Sequence, residues 1–156
     1  MKSIYKTALI ISALVAVWVY ITIGYPHLNL IPWVGFVAWA AYFAAGGTTK
    51  AAKCSFIAGV VAILLTAFIL YMVKLAGGSL TSMLILIPIL SFILVSMAQF
   101  KNLSYTPGAF LGAACFFGTG GNVDLSILFI LLSWISGIIL GIVSVNLDKL
   151  TTIAKR

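Results

Sequence analysis

Charge is scarce in this chain, and negative charge is almost absent. Its 156 residues carry two aspartates, Asp124 and Asp148, against nine lysines and arginines, for a net charge of +7. Ion pumps, proton relays and voltage sensors leave an ionised side chain inside a hydrophobic span, and no lysine, arginine or aspartate lies clearly inside one here. A single histidine, His27, and two cysteines, Cys54 and Cys115, without metal-ligand spacing offer neither a metal set nor a disulfide framework. Ser136-Gly137 has no intramembrane base to activate it. Gly118-Thr119-Gly120-Gly121 lacks the Gly-Lys-Ser/Thr that completes a phosphate loop, so it reads as a turn. The basic residues stand one or two at a time at the edges of apolar runs. This is the pattern of topology signals, and no basic stripe with interleaved aromatics offers itself to nucleic acid. Catalytic residues, cofactor and metal are therefore all expected to be absent.

What is abundant is apolar: 63% of residues are hydrophobic and the mean hydropathy is +1.25, the composition of an integral membrane protein. In chain order, a basic lead of residues 1–6 precedes a first span, Thr7–Gly24, closed by Pro26. Trp18, Tyr20 and Tyr25 suit the membrane interface. A short second span follows at Ile31–Gly47, then a polar basic turn, Thr48–Lys53, and a third span, Cys54–Val73. Gly77-Gly78-Ser79 punctuates the chain near its middle. The fourth span, Leu80–Gln99, is kinked at Pro88, and the fifth, Tyr105–Gly121, is again short. Asn122 and Asp124 are good cap and first-turn residues for the sixth span, Leu125–Leu147, and a short basic tail occupies residues 149–156.

The two short spans resemble each other. A shift of 74 places Phe36 on Phe110, Ala40 on Ala114, Phe43 on Phe117, Gly46 on Gly120 and Gly47 on Gly121, five identities in twelve positions with no gap. Such self-similarity reads as an internal repeat, although two glycine-rich apolar segments can also converge by composition. On this reading one membrane domain, 1–156, consists of a first copy at about 1–76 and a second at about 77–150.

Charge then chooses between topologies. If the short segments cross the bilayer, eight cationic side chains lie on the starting side and Lys74 alone on the other; if both are re-entrant hairpins, the best division is six against three. The positive-inside rule favours six spans with both termini cytoplasmic. Three spans per copy make the copies inverted, and paired short, Gly- or Pro-interrupted segments in inverted halves point to a substrate site. The expected fold is all-α and polytopic: six transmembrane helices in two inverted three-helix repeats, the second helix of each short and glycine-rich.

The candidate substrate or pore lining is Phe36, Trp39, Tyr42, Phe43, Pro107, Phe110, Gly112, Phe116, Phe117 and Gly120. Aromatic width and backbone dipoles of this kind select small uncharged solutes. The competing reading is that small residues simply pack helices, as Ser133, Gly137 and Gly141 do at four-residue spacing.

The runs Gly35-Phe36, Ala41-Tyr42-Phe43-Ala44 and Pro107-Gly108-Ala109-Phe110-Leu111-Gly112 with Phe117 resemble the signature stretches of the domain of unknown function 1097 family, small bacterial inner-membrane proteins. The resemblance implies an inner-membrane location and brings no substrate or reaction with it. The expectation is a small, oligomeric channel or facilitator for an uncharged solute; the alternative is a non-transporting protein that binds or stabilises another membrane component.

Overall fold

The structure, a computed structural model, describes residues 2–153; Lys155 and Arg156 of the basic tail lie outside the described residues. Six α-helices form: α1 (Lys2–Gly24), α2 (Pro32–Ala44), α3 (Thr49–Leu75), α4 (Leu80–Ser96), α5 (Thr106–Gly118) and α6 (Ser126–Ile153). Four segments, Ile4–Gly24, Thr49–Leu75, Leu80–Gln99 and Ser126–Thr151, are long and apolar enough to cross a membrane, and α2 and α5 are shorter. The chain is an all-helical integral membrane protein.

Several expected boundaries move: α1 already begins at Lys2, so the basic lead is helical. Thr49 to Lys53 belong to α3, not to a preceding turn. The Thr48 hydroxyl caps α3 by accepting from the Ala51 N–H at 3.1 Å, and lysine stems are long enough to carry their charge past the apolar boundary. At the other end α6 begins after Asp124 and continues beyond Leu147. The Asp124 carboxylate accepts from the Ser126 N–H at 2.7 Å, a bond that holds its pKa below the ordinary carboxylate range. Trp18 is not an interfacial ring. It is buried, and its indole N–H donates to the Pro32 carbonyl at 3.0 Å.

The likeness of the two short segments extends to the backbone. Both short helices have 13 residues, and their bounds differ by 74 at each end. Each has proline in its first turn and ends in two glycines with positive φ, +103° and +62° at Gly46 and Gly47, +93° and +64° at Gly120 and Gly121. In each glycine pair the amides return to carbonyls of the last turn, Gly46 to Phe43 and Gly47 to Tyr42, Gly120 to Phe117 and Gly121 to Phe116. Only glycine takes this left-handed turn without strain.

The halves are interlaced. The most extensive helix pairings are α3 with α5 and α2 with α6, so each short helix lies chiefly on the long third helix of the other half. Exchanging the halves (α1 for α4, α2 for α5, α3 for α6) turns each of these pairings into the other, and likewise α1–α6 into α4–α3 and α1–α2 into α4–α5. The short helices run antiparallel: Trp33 at the start of α2 meets Gly118 at the end of α5, and the Tyr105 hydroxyl before α5 donates to the Ala41 carbonyl near the end of α2 at 3.1 Å.

Contacts also gather the cationic loops. The Lys6 ammonium lies 3.3 Å from the Asp148 carboxylate, whose Oδ1 also accepts from Thr7 at 2.8 Å, so the start of α1 is fastened to the end of α6. One cavity joins Lys50 to Ser104 and Tyr105, and another joins Thr48 to Lys149.

Candidate functional site

The site expected from the sequence centres on α2 and α5. Their buried residues are Val34, Gly35, Ala38, Trp39, Ala41 and Tyr42 in one and Gly108, Ala109, Gly112, Ala113, Cys115 and Phe116 in the other, a match position for position at the 74-residue shift. Both helices are continuous; their internal glycines serve close approach and do not break the helix.

Glycine backbone meets glycine backbone in two places. A Cβ on Gly112 would stand 2.6 Å from the Gly59 carbonyl oxygen, and one on Gly137 would fall on the Gly35 carbonyl oxygen. Gly59 and Gly35 are themselves covered, where a side chain would stand, by the indoles of Trp134 and Trp18. Each contact therefore stacks tryptophan, glycine backbone and glycine backbone across three helices: α6, α3 and α5 in one, α1, α2 and α6 in the other. Gly141 packs against Trp39 and Tyr42 in the same α2–α6 seam, and Ser133, also on α6, is fully buried. Small residues here do what they usually do in bilayers, which is to let helices close on one another.

Polar groups inside this packing are neutral. The Ala41 carbonyl accepts from the Tyr105 hydroxyl, from Ser55 Oγ at 3.3 Å and from the Ala45 N–H at 3.0 Å. The Ile31 N–H, ahead of α2, donates to Ser133 Oγ at 2.8 Å, and that hydroxyl donates in turn to the Phe129 carbonyl. Two buried donors, Trp39 Nε1 and Trp134 Nε1, have no hydrogen-bond partner among the described residues. An unpaired buried polar group costs roughly 1–3 kcal/mol.

The ten candidate residues separate by face. Trp39, Tyr42, Gly112 and Phe116 are brought into the core, with the Tyr42 hydroxyl donating to the Gly47 carbonyl at 2.7 Å. Phe36, Phe43, Phe110 and Phe117 are 37–43% exposed and stand on the outward faces of the short helices. Pro107 and Gly120 are exposed at the two ends of α5. Sequence reasoning missed Tyr105, Ser55, Trp134 and the pairing role of Ser133. One signal was available: Ile31 and Tyr105 are equivalent at the 74-residue shift, and each precedes a short helix.

The arrangement offers no nucleophile paired with a base, and among the described residues no three histidine, cysteine or acidic side chains gather to hold a metal. Its polar resources are backbone carbonyls, hydroxyls and two indole N–H groups, the last enclosed by packing.

No curated protein and no solved structure matches the chain. A family model described as "Protein of unknown function (DUF1097)" matches residues 8–148, nearly the whole sequence. The chain belongs to the DUF1097 family.

Proposed function

We propose that this protein is a small facilitator for an uncharged solute in the bacterial inner membrane, built as two inverted three-span repeats with both termini cytoplasmic. The observation that carries the reading is the pair of registered short helices, antiparallel and laced into opposite halves. At about 1.5 Å per residue each is near 20 Å long, against a hydrocarbon core of roughly 30 Å. Paired short elements meeting at a repeat interface are where transporter folds place their solutes. The enclosed, unpartnered indole N–H groups of Trp39 and Trp134 would meet a neutral hydrogen-bond acceptor where the surrounding helices part. Clustering of Lys6, Lys50 and Lys149 by contact at one end agrees with six crossings. Short lipid-facing helices are also relieved by association, so the working unit is a homo-oligomer. Solute crosses without chemical change.

The test is flux. Protein in liposomes, challenged with urea, ammonia and glycerol, passes at least one of them selectively above protein-free vesicles, and Trp39→Phe with Trp134→Phe lowers that flux while keeping the rings. Flux of every solute at background overturns the reading.

A second reading rests on a separate observation. None of the five identities between the short helices is buried: the glycines belong to turns, while Phe36, Ala40 and Phe43 and their equivalents Phe110, Ala114 and Phe117 face outward. Packing within the chain does not account for that likeness, which suits a surface that binds another membrane component. A stoichiometric partner that is lost on Phe36→Ala with Phe110→Ala favours this reading.

A further inference from the structure

The two ends of the third helices are not equivalent in chemistry. Where the start of α3 meets the end of α6, a cavity of about 110 Å³ is lined by Thr48, Thr49, Asn146 and Lys149 among others. Thr49, Ala52 and Ile142 also line a second, larger space, an open groove of about 360 Å³. Lys53 stands in that groove, and its walls continue through Phe56, Ile138 and Ile139. A polar, cationic chamber thus runs into an apolar trough along the outer seam between two long helices.

The repeat supplies an internal comparison. The 74-residue shift takes Lys50, Lys53, Asn146 and Lys149 to Asp124, Ile127, Met72 and Leu75. The scaffold is duplicated and the basic chamber is not. Topology alone asks for lysines at one end of the bundle, but it does not ask that they line a cavity continuous with an apolar groove. Among the described residues the ion pair at this end is that of Lys6 with Asp148, and neither Lys53 nor Lys149 takes part in it.

We propose that this crevice binds one anionic phospholipid, its phosphate between Lys53 and Lys149 and one acyl chain along Phe56, Ile138 and Ile139. Charge complementarity selects the occupant: basic pockets between membrane helices hold anionic headgroups, and the trough supplies what a free anion would not use. The site is independent of any solute path along the short helices.

Native mass spectrometry of the detergent-purified chain titrated with phosphatidylglycerol or phosphatidylcholine reads the outcome. One phosphatidylglycerol is retained per chain in preference to phosphatidylcholine. Lys53→Gln with Lys149→Gln weakens that retention on the order of tenfold, as expected for two phosphate-facing cations, while Lys53→Arg with Lys149→Arg and the opposite-end variant Lys74→Gln keep it. Equal retention of the two lipids overturns the proposal, and that comparison needs no variant to fold. Weakening by Lys74→Gln to the same degree overturns it as general charge attraction, and displacement of the lipid by millimolar inorganic phosphate overturns it as a site for a free anion.

Discussion

A methyl group at Gly112 has nowhere to go, because what it meets is the backbone of Gly59 and not the tip of a side chain that can swing aside. Gly112→Ala and Gly137→Ala therefore cost about 1–3 kcal/mol each, the range of overpacking in a tight interior, read as a lowered unfolding midpoint in detergent. Gly24→Ala is the contrast: its Cβ would find only ordinary contact with Tyr20 at 3.6 Å, and the change should be neutral or slightly stabilising. Hydrogen bonds can be ranked in the same measurement. Tyr105→Phe leaves the Ala41 carbonyl two other donors and should cost about 0.5–1.5 kcal/mol, whereas Ser133→Ala strands the Ile31 N–H and should cost about 1–3 kcal/mol.

At the scale of the helix, the glycine pairs that follow α2 and α5 have nearly the same positive φ, so Gly46→Ala and Gly120→Ala should be equally damaging, about 1 kcal/mol each. The start of α6 responds to pH. Hydrogen bonds from Ser126 depress the Asp124 pKa in the folded state, so the stabilisation they give is complete above the ordinary carboxylate pKa and is lost as pH falls through the depressed value. A carboxyl NMR titration should place the Asp124 midpoint below that of a free aspartate, and Asp124→Asn should abolish the accompanying shift of the Ser126 amide. The starts of α2 and α5 were legible in the sequence because proline marks them, but each span was drawn three residues too far, through the glycine pair that follows the helix. The division of Phe36 from Trp39, one outward and one inward, was not, because in lipid both faces of a helix are apolar and hydrophobic periodicity has little to report. The first turn of α3 was misread for a related reason: Lys50 and Lys53 look like a solvated turn, while their backbone is helical.

For the whole molecule, single-cysteine labelling in a Cys54→Ala, Cys115→Ala background separates the two ends. Ser79→Cys should react with an impermeant maleimide in intact cells, and Lys149→Cys only after the membrane is opened. The clasp between Lys6 and Asp148 is partly exposed, with side chains 22% and 30% accessible. Lys6→Gln should therefore cost no more than about 1 kcal/mol, with a smaller effect at high salt. The count of helices and the gathering of lysines at one end followed from hydropathy and charge. Which helix lies on which did not, since α2 meets α6 across a hundred residues and nothing in local spacing records a partner so distant. That exchange of partners between halves bears on how the chain is made. Until α6 has left the ribosome, the first half lacks the main neighbour of α2, and a chain stopped after Leu75 would leave Gly35 and Ala38 with no Gly137 to meet. Maturation is then a closing event at the end of translation, and chaperone or protease dependence should fall sharply once the final helix enters the bilayer.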